Sequence, residues 1–189
     1  SFQNFYFVGI GGIGMSAIAR YFYAENKNVL GYDKTETKLT TELLKEGISI
    51  SFQDEVNQTI TDLNKEETLV IYTPAIKKLK ILDYFNDHQF KILKRAKVLG
   101  LITENTNCIA IAGTHGKTTT SSLVAHLCKV ANLPFSGFLG GIAENYKSNF
   151  IYNGTEISVL EADEYDRSFL NLSPDWAAIT STDADHLDI

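Results

Sequence analysis

Short apolar runs rich in β-branched and aromatic residues recur at 5–10, 28–32, 69–72 and 91–93. Between them, at 15–25, 40–46, 79–88 and 95–102, apolar residues return every three or four positions, as on one face of a helix. Strand and helix in alternation predict an α/β fold built on a parallel sheet. In the last helical segment Val98, Leu101 and Ile102 share a face that should be buried. The polar, non-periodic stretch Glu104-Asn105-Thr106-Asn107 interrupts the pattern, which predicts one domain over 1–105 and a second over 106–189. The second continues with strand runs at 109–112, 135–139, 157–160 and 176–179, and with a helix from Lys117 to Val130 that Leu133-Pro134 ends. Gly140-Gly141 is expected to open a flexible loop, and Trp176 to lie in the core.

The first strand runs into Gly9-Ile10-Gly11-Gly12-Ile13-Gly14, and a helix follows directly. Asp33 closes the second strand nineteen positions after Gly14, about where a dinucleotide-binding unit places the acid that meets a ribose. The turn therefore reads as a nucleotide or nucleotide-sugar site, and an NAD-dependent dehydrogenase is the first function it suggests. Thr73-Pro74-Ala75, at the carboxyl end of another strand, should face the same pocket as Gly11. Lys77, Lys78 and Lys80 read as a solvated face.

A second glycine turn is more specific. Gly113-Thr114-His115-Gly116-Lys117-Thr118-Thr119-Thr120 sits directly between a strand run and a helix, the context a phosphate loop requires. Its glycines let main-chain N–H groups point inward at the positive end of the helix, Lys117 neutralises phosphate, and Thr118 offers a hydroxyl to Mg2+. The general pattern has its first glycine where this chain has Ile111. Two acidic clusters follow later strands, Glu161-Ala162-Asp163-Glu164-Tyr165-Asp166 and Asp183-Ala184-Asp185-His186-Leu187-Asp188. Carboxylates there suit a magnesium ion that bridges phosphate oxygens.

At 189 residues and 44% hydrophobic composition the chain has ample material for a core. A net charge of -6 and a pI near 5.2 argue against a broad nucleic-acid surface. Cys108 and Cys128 lack metal-ligand spacing and read as reduced, buried thiols. No run is apolar and long enough to span a membrane, so the cytoplasm is the expected compartment. The chain starts at Ser1 and stops at Ile189 inside an acidic motif, which reads as a fragment.

Gly-Thr-His-Gly-Lys-Thr-Thr-Thr, with its shifted early glycine, resembles the ATP-binding loop of the Mur ligases, the amide-forming enzymes of peptidoglycan precursor synthesis. Gly-Ile-Gly-Gly-Ile-Gly-Met-Ser resembles the family's N-terminal motif, within it the member that joins L-alanine to UDP-N-acetylmuramate. The resemblance implies a Rossmann-like domain followed by the start of a P-loop ATP-binding domain. It places the UDP-sugar on Gly11, Gly12, Gly14 and Asp33. ATP falls to Gly113, Thr114, His115, Gly116, Lys117, Thr118 and Thr119, with Lys117, His115 and Glu161 in catalytic roles and Thr118, Glu161 and His186 at Mg2+. Ser181 departs from the family, which usually has asparagine there. The implied reaction activates a carboxylate as an acyl phosphate that the amine then displaces. UDP-N-acetylmuramate and L-alanine would be substrates, and a third domain of the same protein, absent here, would close the site, so this chain alone should not turn over. A murein tripeptide-recycling relative is the alternative within the family. Outside it stand the dehydrogenase, which leaves residues 113–118 unused, and a nucleotide-responsive ATP-binding protein without chemistry.

Overall fold

The computed structural model describes residues 2–76, 78–163 and 165–183, and the chain divides into two units, Ser1–Arg95 and Ala96–Ile189. In the first, strands β1 (Asn4–Val8), β2 (Asn28–Tyr32), β3 (Ser49–Ser51), β4 (Thr68–Tyr72) and β5 (Lys91–Lys94) form one sheet in the order β3-β2-β1-β4-β5. Every pairing is parallel, as the alternation predicts. Helices α1 (Ile13–Ala24), α2 (Lys38–Lys45), α3 (Gln58–Thr61) and α4 (Lys80–Asp87) supply the crossovers. The central strand β1 is buried along Phe5, Tyr6, Phe7 and Val8, each side chain contributing roughly 1.5–3 kcal/mol on burial. Tyr6 and Val8 join Leu30, Val70, Ile81 and Phe85 in one apolar cluster.

Two polar devices fix the helices. Arg20 of α1, only 6% exposed, reaches Glu46 just past α2 through Nε–Oε2 at 2.8 Å and Nη2–Oε1 at 2.6 Å, a forked pair that ties the two helices together. Asp54 accepts from the N–H groups of Lys80 and Ile81 at 2.9 and 3.0 Å, so a carboxylate caps the positive end of α4.

The second unit holds α5 (Arg95–Thr103), which begins on the last residue of the first unit. Gly100 lies so close to the Asn171 carbonyl that a Cβ would overlap it, and this grouping places the division ten residues ahead of the expected 105/106. Strands β6 (Asn107–Ala112), β7 (Phe135–Ala143), β8 (Ser148–Tyr152), β9 (Ile157–Glu161) and β10 (Trp176–Ile179) run in the order β10-β6-β9-β7-β8, parallel except for β8. Helix α6 (Lys117–Val130) packs Ala125 and Cys128 onto Phe135, Ile151 and Val159. Both cysteines are free and buried, as expected. Among the described residues no helix is long and apolar enough to cross a membrane.

Three expectations are overturned. Gly140 and Gly141 do not open a loop: they lie inside β7, where the register against β8 shifts between Phe138 and Ala143. Trp176 is 57% exposed because β10 is the edge strand and no described element covers its face. Leu101 is exposed although Val98 and Ile102 are buried, since the helix turns it away from the face they share.

Candidate functional site

The first glycine turn lies at the carboxyl end of β1, where the chain order places β2 on one side of the strand and β4 on the other. Crevices at such a point are where open α/β sheets take ligands. The N–H groups of Gly9 and Ile10 donate to the Tyr32 carbonyl at 2.8 and 3.0 Å. Gly11 N–H donates to Asp33 Oδ2 at 2.7 Å, and Thr35 N–H to Oδ1 at 3.1 Å. A Cβ at Gly11 would stand 2.8 Å from both Asp33 Oδ2 and Thr40 Cγ2, so the turn closes on the acid only because residue 11 is glycine.

Gly12 differs. It caps α1 without a side-chain bond, and a Cβ there would meet nothing nearer than 3.6 Å. The helix has no acidic residue in its first turn, and the Arg95 guanidinium lies against Gly14, so the helix start is a positive surface. An open cavity of about 520 Å3 adjoins it, lined among others by Gly12, Asp33, Lys34, Thr73, Ala75 and Lys78. The Thr73–Ala75 turn thus shares a pocket with the glycine turn, and Lys78 is part of its wall. At the edge of this cavity burial, reinforced by Asp54 and Asp33, raises the Tyr32 phenol above its ordinary value.

The second turn joins β6 to α6. Gly113 (φ +122°) and Gly116 (φ +82°) adopt the left-handed backbone that side chains resist, and Gly116 caps α6. The loop is clamped from the end of β10. Thr114 N–H donates to the Ser181 carbonyl at 3.1 Å, His115 N–H donates to Ser181 Oγ at 2.9 Å, and the Thr180 hydroxyl reaches the carbonyls of Ala112 and His115. Thr114 Oγ1 donates to the Asp183 carbonyl at 2.9 Å. Lys117 folds back so that Nζ donates to Gly113 O at 2.5 Å, placing a cation across the loop. His115 is exposed, with its main chain held by Thr180 and Ser181.

Thr118, in the first turn of α6, donates to Glu161 Oε2 at 3.1 Å. A hydroxyl and a carboxylate at that separation are hard oxygen donors of the kind magnesium takes, so this pair fits the ion. His186 lies outside the described residues, as do Glu164, Asp185 and Asp188. Among the described residues no group of three His, Cys, Asp or Glu side chains is placed to hold a metal.

Four contributors are not evident from the motifs. Ser181 clamps the loop through both its carbonyl and its hydroxyl. Ser121 and Gly140 bond Glu161 from either side. Arg95 reaches Gly14 from eighty residues away. Ser121 carries a signal in the chain itself, lying three positions after Thr118 and so on the same helix face, and Ser181 stands where the resembled family usually has asparagine.

Residues 4–106 match the family model described as Mur ligase family, catalytic domain, and residues 111–189 match that of the Mur ligase middle domain. The UDP-N-acetylmuramate–L-alanine ligase of Flavobacterium psychrophilum is 54% identical over 188 residues, covering 99% of this chain and 42% of that protein. The enzyme of the same name from Porphyromonas gingivalis strain W83 is 49% identical over 190 residues, with the same coverage of 99% and 42%. Among solved structures, UDP-N-acetylmuramate-alanine ligase from Thermotoga maritima matches with a TM-score of 0.84 at 32% identity, over 98% of this chain and 43% of that one. UDP-N-acetylmuramate:L-alanyl-gamma-D-glutamyl-meso-diaminopimelate ligase from Neisseria meningitides matches with a TM-score of 0.83 over 100% of this chain and 63% of that one, at 23% identity, a likeness of fold alone. The chain spans about two fifths of the length of the curated relatives it matches.

Proposed function

Because this chain belongs to the Mur ligase family, we propose that it carries the UDP-sugar and ATP sites of a ligase that joins L-alanine to the lactyl carboxylate of UDP-N-acetylmuramate. The observation that carries the reading is the second turn. A lysine across a left-handed glycine loop, next to a hydroxyl–carboxylate pair, equips it for phosphoryl transfer rather than for binding alone. The choice of L-alanine rests on the relatives near 50% identity that bear that name. The murein-recycling alternative draws only on fold likeness, and a dehydrogenase leaves the second turn without a task.

In this reading the diphosphate of the UDP-sugar lies over the start of α1, where Gly12 leaves room and Arg95 adds charge beside Gly14. Asp33 keeps the turn in shape through Gly11, and ribose contact falls to whatever acceptor capacity it retains. A carboxylate is a poor acyl donor, so the γ-phosphoryl of ATP is transferred to it and the amine of L-alanine then displaces phosphate. Lys117 leaves the Gly113 carbonyl for phosphate oxygens and spreads the charge of the migrating group. In this reading Thr118, Glu161 and His186 would hold magnesium, which would supply positive charge against the phosphates. His115, exposed at the loop's crest, meets the carboxylate or the acyl phosphate. Such chemistry belongs in the cytoplasm, where UDP-sugars and ATP are at hand.

A coupled ADP-release assay tests this on the chain as given and on a protein extended to its relatives' length. The extended protein should release ADP only when both UDP-N-acetylmuramate and L-alanine are present. This chain alone should bind the UDP-sugar without turnover, since the closing domain that excludes water from the acyl phosphate belongs to the remainder. NADH bound more tightly than the UDP-sugar would overturn the assignment.

A further inference from the structure

Two groups without a motif role converge on one carboxylate. Glu161 Oε1 accepts from the main-chain N–H of Gly140 at 2.8 Å and from Ser121 Oγ at 3.0 Å, while Oε2 faces the Thr118 hydroxyl at 3.1 Å. The oxygens are therefore divided: Oε1 accepts two bonds, from Gly140 and Ser121, whereas Oε2 accepts one, from Thr118 in the first turn of α6. Ser121 is fully buried, and its single proton has two acceptors in reach, Glu161 Oε1 and the Thr118 carbonyl at 3.1 Å. An ionised carboxylate is the stronger of these. Gly140 cannot be replaced without cost, since a Cβ would stand 2.8 Å from Glu161 Cδ and closer still to Oε2. A Cβ at Gly141 would sit 3.2 Å from Thr118 Cγ2. The glycine pair inside β7 thus makes room for both members of the metal-facing pair.

We propose that Ser121 and the Gly140 N–H are positioning groups that reserve Oε1 of Glu161, so that Glu161 presents Oε2 alone to the divalent cation accompanying ATP. The proposal rests on the reading of Thr118 and Glu161 as metal ligands. Holding Oε1 locks the side chain before the ion arrives, which is how partners behind a ligand raise affinity. It also sets selectivity. Magnesium takes one oxygen per carboxylate in a strict octahedron, whereas calcium accepts both oxygens of a carboxylate at longer range. A reserved Oε1 favours magnesium, and a released one gives calcium a second oxygen.

The test is calorimetric titration of the non-hydrolysable analogue AMP-PNP into the protein extended to its relatives' length, with Mg2+, with Ca2+ and with EDTA. The quantity read is the gain in affinity that each metal confers over EDTA. Ser121→Ala should lower the Mg2+ gain about 10–100-fold, the usual effect of losing a partner behind a ligand, and lower the Ca2+ gain less. Affinity in EDTA should not change. Ser121→Cys, of similar shape with a weaker donor, should behave alike, so an alanine variant that fails to fold does not end the test. Glu161→Gln separates the two layers. If it keeps the Mg2+ gain, Glu161 is no ligand and the underlying reading falls. If it loses the gain while Ser121→Ala and Ser121→Cys keep theirs, the ligand stands and the positioning role is wrong. An equal loss with Mg2+ and Ca2+ in every variant would overturn the selectivity argument.

Discussion

At the end of β1 the chain turns through Gly9 to Gly14 into α1, and at the end of β6 it turns through Gly113 to Gly116 into α6. Both turns present main-chain N–H groups at a helix start, yet they are braced by opposite means. The first spends a carboxylate inside the turn, with Asp33 on Gly11, and its cations, Arg95, Lys34 and Lys78, come from elsewhere in the fold. The second is held by the main chain and hydroxyls of Thr180 and Ser181. Lys117 donates to the Gly113 carbonyl across the loop, and Glu161 stands outside the loop, accepting from Thr118. A brace made of charge suits a shelf that only holds a ligand. A brace of carbonyls and hydroxyls brings no negative side chain into a loop that must take phosphate.

The comparison breaks most visibly at Lys117. In the extended protein Lys117→Ala should cut L-alanine-dependent ADP release by at least about 10²–10³-fold, the scale of losing one preorganised charge-stabilising donor. UDP-sugar affinity and the melting temperature should stay put, and normal Mg-ATP binding by this variant would mean the second turn does not hold phosphate. At the first turn, Gly12→Val should weaken UDP-sugar binding by roughly 10–100-fold, since overfilling a fitted site costs about 1–3 kcal/mol. The fold should tolerate it because a Cβ there has room. Unchanged calorimetric affinity would remove the diphosphate from α1. Gly11→Ala should do the reverse, costing about 1–3 kcal/mol of stability in urea unfolding through its overlap with Asp33 and Thr40.

The smallest effect is alkaline. Burial raises the Cys108 and Cys128 thiols in the second unit and the Tyr6 phenol in the first. A group whose pKa is raised on folding stabilises the native chain fully below its ordinary pKa, and that stability is lost as pH rises toward the raised value. Thiols ordinarily titrate near 8.5 and phenols near 10, so the second unit should weaken from roughly pH 9 and the first only from about pH 10. The single tryptophan, Trp176, reports the second unit by emission while far-ultraviolet dichroism reports both. Coincident losses at all pH values would contradict the ordering.

The strands β1, β2, β4, β6 and β9 were legible in the chain because central strands of a parallel sheet are apolar on both faces. β3 was not, since its Ser-Ile-Ser carries one apolar residue on an edge, and β8 follows a glycine-rich stretch that reads as loop although it is paired. Trp176 misled because residue type speaks for burial only where something covers the strand. At the candidate site, the turns and Lys117 announce themselves through local spacing. Ser181, Arg95 and Gly140 do not, because each acts on a partner that only the tertiary fold brings near.

The position of β6 in its sheet has a consequence during synthesis. Its neighbours are β9, beginning with Asn107 against Ile157, and β10, with Ile109 against Trp176. Neither exists when β6 leaves the ribosome, whereas β1 finds its partner β2 soon after it emerges, with Asn4 against Asn28. Pairings that distant in sequence are slow to close. The strand that carries the phosphate loop therefore waits with both edges bare, and the clamp from Thr180 and Ser181 arrives only after β9. A nascent chain paused after β6 has emerged and before β9 has would expose an apolar β strand to neighbouring polysomes, and a chaperone that shields such edges would find its target there.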